Sequence, residues 1–322
     1  MRKPPHYRVV VNMEWTSKCN ARCVMCPRTA ITHPSLMSVR TFRRVLARLT
    51  PEDVWRSVIA GYGEPSTHPL FDIFVQSLAA HPVRFDMVTN GQQWTRERFE
   101  AVDGILDTLI VSFSSIEPEV YREVHANLNQ QRVMANIALA QKTLRKTRLA
   151  ISLTPVAECL PSLPATTRWL RSLGITELTM SPSLYNRAGT LAANTDLGLP
   201  LRQLIQSLKL HSQELDFIPS LTDALAQRRA NRFNCAPRNS DLFISSEGHY
   251  LYCYNDIAHH HPIGNVDSLG INEVLRKRET MAPAALCGNC NMRDRYRARE
   301  TLQVASGILL RRLKNRLAGS AS

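Results

Sequence analysis

The tightest constraint in this sequence is Cys19-Asn20-Ala21-Arg22-Cys23-Val24-Met25-Cys26, which sets three cysteines at the spacing C-x3-C-x2-C. It follows a strand-like run from Tyr7 to Trp15, in which valines are interrupted by polar residues. Thiolates this close on a loop can converge on one soft metal centre. Three thiolates leave one iron of a four-iron cubane without a protein ligand, open to something else. Other readings stand beside this one. A structural zinc ion needs a fourth ligand, for which His33 is the candidate. A disulfide with a spare thiol suits an oxidising compartment. Unligated buried thiols rarely cluster this tightly.

Composition narrows the field. The 322 residues suffice for one large or two smaller domains, and 44% hydrophobic content supports a sizeable core. The basic start Met1-Arg2-Lys3-Pro4-Pro5 lacks the apolar run of a signal peptide, and no apolar stretch reaches bilayer length. Eight cysteines without a secretory signal lead us to expect a reducing compartment, the cytoplasm, and metal rather than disulfides. Net charge is +13, but residues 291–322 hold eight Lys/Arg against Asp294 and Glu300. Nearly half the excess is therefore a local tail, without the stacking aromatics of an RNA-binding surface, and no nucleic-acid partner is expected.

Strand-like and helix-like segments alternate, the pattern of a parallel α/β architecture. Strands are expected at Tyr7–Trp15, Val54–Ala60, Val83–Thr89, Leu106–Phe113, Arg148–Pro155 and Glu177–Ser181. Helices are expected at Val39–Leu49, Leu70–Ala80, Thr95–Val102, Gln131–Leu144 and Leu163–Leu173, then at Leu201–Leu215 and Ser220–Arg232. Six β/α units make an open, partial barrel rather than a closed eight-stranded one. In such barrels the chemistry gathers at the C-terminal strand ends. The cysteine loop falls after strand one, Gly61-Tyr62-Gly63-Glu64-Pro65 after strand two and Thr89-Asn90-Gly91 after strand three. Ser112, Ser114 and Ser115 end strand four, Thr154 and Glu158 strand five, and Asn186-Arg187-Ala188-Gly189 follows strand six. Taken singly, most such residues are turn and cap formers.

A second cysteine set, Cys235, Cys253, Cys287 and Cys290, surrounds a hairpin-like segment, Leu242–Tyr252, turning at Glu247-Gly248. Four thiolates can close a zinc site or a four-iron cluster. The tract His259-His260-His261 reads more simply as loop histidines, because four thiolates already saturate a site. Cys159 is left over, just beyond strand five; an inert thiol is its plain reading. Residues 302–317 can form a basic amphipathic helix that packs on the protein, or meets an anionic membrane surface or a partner.

The cysteine loop, Gly61–Pro65 and Thr89–Gly91 together resemble the radical S-adenosylmethionine (SAM) superfamily, although Val24 stands where that family often has an aromatic residue. The resemblance implies a core at 1–200 built as a partial (β/α)6 TIM-like barrel. It implies a four-iron cluster on Cys19, Cys23 and Cys26, whose open iron chelates SAM. Gly61, Gly63 and Glu64 would meet the methionine amino group, with Asn90, Ser112, Asn186 and Arg187 as further SAM contacts. After a helical connector at 201–232, residues 233–300 resemble a twitch-type, shortened SPASM extension holding one auxiliary 4Fe-4S cluster on the second cysteine set. Residues 301–322 remain as the tail. The implied reaction is reductive cleavage of SAM to a 5′-deoxyadenosyl radical that abstracts hydrogen from a substrate carbon. An electron donor such as flavodoxin or ferredoxin would drive it. Oxidation of a small polyol or aminoglycoside-like molecule is the first expectation. Radical epimerisation with Cys159 as hydrogen-atom donor and maturation of a ribosomal peptide are alternatives, and an iron–sulfur electron carrier is the non-enzymatic one.

Overall fold

The structure, a computed structural model, describes residues 6–181, 198–213, 220–233, 235–291 and 306. Its frame is a parallel sheet whose strands alternate with helices. β1 (Val9–Met13), β3 (Val54–Ile59), β4 (Phe85–Thr89), β5 (Thr108–Ser112), β7 (Arg148–Leu153) and β8 (Glu177–Met180) are the six expected strands, each trimmed at one or both ends. The two-residue strands β2 (Arg22–Cys23) and β6 (His125–Ala126) pair with each other as a separate antiparallel ribbon.

Along β1 the pleat sorts the side chains. Val9, Val11 and Met13 join the main core with Phe42, Val45 and Phe74, while Asn12 points the other way and donates to Asp241. The outer layer comprises α1 (Val39–Arg48), α2 (Phe71–Leu78), α3 (Arg96–Val102), α4 (Pro118–Val124), α5 (Gln130–Thr143) and α6 (Leu163–Ser172). Three of these start at side-chain caps readable in the sequence: Ser38, Thr95 and Asn129 each accept the backbone N–H three residues on. Trp15, at the end of β1, meets Phe42, Phe71 and Phe74 edge-on, locking the first two helices beneath the cysteine loop.

The sheet then exceeds the six expected strands. The helix anticipated over Leu201–Leu215 is shorter, α7 (Gly198–Ser207), and gives way to a strand, β9 (His211–Ser212), parallel to β8. Lys209 turns the chain with φ +51°, a left-handed cap usually taken by glycine, so no glycine marked the stop. α8 (Leu221–Ala230) and the short α9 (Ala236–Ser240) follow. At the other edge β10 (Asp241–Ile244) lies parallel to β1, register Val10↔Asp241 to Met13↔Ile244. The anticipated hairpin is present as β10 and β11 (His249–Leu251), extended by β12 (Pro262–Asn265) and α10 (Ile271–Thr280). At the hairpin turn Gly248 has φ +81°, which favours glycine there. The C-terminal strands therefore continue the barrel sheet. Among the described residues, no helix is long and apolar enough to cross a membrane.

Candidate active site

The C-terminal strand ends open onto one cavity of about 290 Å³. Cys19, Cys23 and Cys26 reach it from the loop after β1, Gly61, Gly63 and Glu64 from the turn after β3, Asn90 from beyond β4 and Ser112 from the end of β5. Arg28 holds the cysteine loop in shape: its guanidinium donates to the carbonyls of Cys19 and Ala21 at 3.1 Å and of Ser17 at 3.3 Å. Asn90 Nδ2 donates to Asn20 Oδ1 at 2.7 Å, tying this loop to the turn after β4.

The glycines are explained by close approach. A Cβ on Gly63 would stand 2.1 Å from the Thr16 carbonyl oxygen and 2.4 Å from that of Lys18; one on Gly61 would stand 2.5 Å from Glu14 Cγ. Only a bare backbone lets the Gly61–Pro65 turn lie against the cysteine loop, where the Glu64 amide donates to Lys18 O at 2.9 Å. Glu64 is buried, and its Oε1 accepts the Ser66 amide and the Ser66 and Thr89 hydroxyls, while Oε2 accepts the Asn90 amide at 2.7 Å. Burial pushes this carboxyl's pKa up and the four donors oppose the shift.

Electrostatics favour a positively charged guest. Cys23 is pushed up to about 12 by burial and then by the charges of Cys26 and Cys19. Cys19 is raised by burial, with Glu64 and Cys26 adding to it and Arg28 opposing. Three thiols facing one cavity, with Cys19 and Cys23 made costly to ionise by burial and by their neighbours, fit a thiolate-bound iron–sulfur cluster. His33 is exposed and does not line the cavity. Among the described residues, no three His, Cys, Asp or Glu side chains close on a point as ligands of one ion would.

Several cavity residues escaped the sequence reading. His125 comes from β6, paired with Cys23 through β2. Its Nδ1 lies 3.5 Å from Cys23 Sγ and its Nε2 3.1 Å from Ser114 Oγ, and burial lowers its pKa to about 4. Gln213, just past β9, donates to Ser152 Oγ at 3.1 Å and Thr179 Oγ1 at 2.9 Å. With Ser112, Ser152, Thr154 and Ser181 it gives the far wall neutral hydrogen-bonding groups. A two-residue strand has no period to detect, and the residues around Gln213 read as helix. Cys159 is not brought here: it is fully buried with Val124 and Val156, and burial first, then Glu158 and Glu123, push it up to about 12. Asn186 and Arg187 lie outside the described residues.

The second cysteine set also converges. Cys235, Cys253, Cys287 and Cys290 line one narrow cavity with Arg238 and Asn255. Arg238 is buried, lies over the rings of Tyr252 and Phe233 at 4.9 and 5.2 Å, and donates to Arg278 O at 2.8 Å. Asn255 Nδ2 points at Cys290 Sγ, 3.7 Å away. Burial raises Cys253, and raises Cys235 to about 11. His259–His261 stand apart, their loop held by Asp256, which accepts the His260 and His261 amides.

A parallel α/β barrel with three thiols and a glycine-flanked carboxylate at one mouth defines a class. Residues 13–155 match the family model of the radical SAM superfamily. GTP 3′,8-cyclases of two Rhodopseudomonas palustris strains are each 25% identical over 171 residues, 50% of this chain and 48% of theirs. The chain thus spans about half the length of the curated relatives it matches. Among solved structures, Streptococcus suis SuiB bound to precursor peptide SuiA is similar with TM-score 0.66 and 12% identity, covering 89% of this chain and 70% of that one. Native anSMEcpe with bound AdoMet gives 0.60 and 12%, covering 88% and 86%. BtrN in complex with AdoMet and 2-DOIA gives 0.51 and 18%, covering 90% and 94%. At these identities the likenesses speak for the fold.

Proposed function

We propose that Cys19, Cys23 and Cys26 hold a SAM-binding 4Fe-4S cluster, that Cys235, Cys253, Cys287 and Cys290 hold a second, and that the chain oxidises a small polyol-like substrate. The observation that carries this reading is the convergence of the cysteine loop, Gly61–Glu64, Asn90 and Ser112 on one cavity. When bound, the first cluster supplies the electron for reductive cleavage of SAM, whose adenosyl part supplies hydrogen-atom abstraction.

The residues divide the remaining work. Gly61 and Gly63 let this turn pack against Glu14 and the cysteine loop, which sets its backbone where a methionine moiety would bind. Glu64 Oε2, with one donor of its own, offers its second lone pair to an ammonium group. Ser112 and Asn90 offer hydroxyl and carboxamide at the same rim. The far wall of Ser152, Thr154, Ser181 and Gln213 suits a neutral, hydroxyl-rich substrate better than a charged one. Four thiols at the second site leave no iron open for substrate, so that site suits electron transfer, with the electron and proton lost by the substrate passing to cluster and solvent. BtrN, bound in its crystal to AdoMet and 2-DOIA, is a likeness over nearly its whole length, in keeping with a small substrate. The physiological reductant is taken to be a flavodoxin or ferredoxin type of protein.

The test uses anaerobically reconstituted protein with dithionite and SAM, following 5′-deoxyadenosine by mass spectrometry, with and without polyols and amino sugars. Formation that disappears in Cys23→Ala supports the reading. Protein that holds both clusters yet yields no 5′-deoxyadenosine overturns it, and turnover only with peptides moves the substrate class.

A further inference from the structure

His125 is fully enclosed, yet it takes part in no core polar network apart from one short relay. The Thr154 amide donates to Ser114 Oγ at 3.2 Å. Ser114 Oγ in turn lies 3.1 Å from His125 Nε2, and His125 Nδ1 lies 3.5 Å from Cys23 Sγ. The ring packs against Tyr121, 4.8 Å away and tilted by 33°, and sits on the β2–β6 ribbon that sets Cys23 opposite His125.

Ser114 Oγ accepts the Thr154 amide and keeps its hydroxyl hydrogen and a second lone pair, so it can donate to Nε2 or accept from it, and the charge on Cys23 decides between the two. A neutral ring accepting at Nε2 carries its proton on Nδ1, aimed at the sulfur. An imidazolium would present the same Nδ1–H. The remaining tautomer would face a bare nitrogen lone pair to the sulfur, which becomes anionic once it ligates metal.

We propose that His125 is a positioning residue which donates an Nδ1–H···Sγ hydrogen bond to Cys23 and thereby raises the reduction potential of the cluster on Cys19, Cys23 and Cys26. A donor on a ligating sulfur stabilises the more negative, reduced cluster over the oxidised one, which eases loading of the electron that SAM cleavage needs. The inference rests on the proposed ligation by these three cysteines. Sequence alone gave no hint of it, since His125 follows Cys23 by 102 residues.

The experiment is a redox titration of the reconstituted Cys253→Ala protein, so that only the first cluster reports, read by electron paramagnetic resonance. Asparagine sets a carboxamide where Nδ1 stands; glutamine reaches towards Nε2; phenylalanine keeps the ring packing with neither nitrogen. In His125→Phe and His125→Gln the reduction equilibrium is expected to be about tenfold less favourable, about 59 mV lower for one electron. His125→Asn is expected to stay within about threefold of the parent, a smaller displacement on the same scale. Equal potentials in parent and His125→Phe overturn the proposal, as does an equal fall in the Asn, Gln and Phe variants, which would mark a packing role. If His125→Phe loads no iron, Ser114→Ala decides: a lowered potential supports the relay and an unchanged one overturns it. Absence of any reducible cluster in the parent would instead overturn the cysteine ligation itself.

Discussion

The two cysteine groups solve opposite problems with the same side chain. The first sets three thiols on a loop at the rim of a cavity of about 290 Å³; the second folds four thiols around about 10 Å³. Around the first, the nearest ring donor is a neutral imidazole and the loop is shaped by Arg28 bonding to carbonyls. At the second, a buried arginine lies against the thiols and an asparagine points at one of them. The first site is an open cavity with the buried carboxylate of Glu64 at its rim; the second is closed around its thiols beside Arg238, which also pairs with Glu279 at 3.3 Å. On the proposed function the first would exchange a ligand and the second would store an electron, and each variant below attacks one side of that division.

The largest expected effect is Cys23→Ala, which should abolish 5′-deoxyadenosine formation while keeping the second group's iron; iron and sulfide analysis should fall to about half. Loss of all iron would show that the two groups assemble as one. Next, Cys253→Ala should spare uncoupled SAM cleavage but halt substrate oxidation. If cleavage also vanishes, the storage role assigned to the second group fails. A smaller effect is expected for Gly63→Ala, whose added methyl must displace the Thr16 and Lys18 carbonyls. A cost of about 1–3 kcal/mol is expected from such overpacking, read by thermal unfolding, with weaker SAM binding alongside.

A last effect, on stability and its pH dependence alone, probes the seam between the regions. Burial raises Asp241, on β10, from its ordinary 3.8 to about 7. The folded chain therefore binds a proton here that the unfolded chain has released between those values. Stability should fall as pH rises from about 4 to 7, by at most about 1.4 kcal/mol per unit, and level off above. Asp241→Asn should flatten that slope in denaturant titrations run across the window. An unchanged slope would place the pH dependence elsewhere.

Much of this was legible because parallel barrels advertise themselves. Buried strands read as apolar runs, helices announce themselves through Ser38, Thr95 and Asn129, and the cysteines sit at strand ends by sequence order alone. What escaped was non-local or unmarked. The β2–β6 ribbon is two residues deep, so His125 had no pattern to reveal it. Lys209 adopts the turn a glycine would have signalled, hiding β9 and Gln213. The pairing of β10 with β1 joins segments at opposite ends of the chain, and periodicity within either says nothing about the other.

That pairing also has a timetable. Asn12 and its partner Asp241 are 229 residues apart. At 5–20 residues per second, about 10–45 s of synthesis separate them. During that interval one flank of the opening strand has no neighbour, and the cysteine loop it carries waits at the margin of an unfinished sheet. Iron delivered on the ribosome would meet a loop not yet flanked on both sides. Delivery after release would meet a finished cradle, so the proposed cluster is expected to enter late in the life of each new molecule.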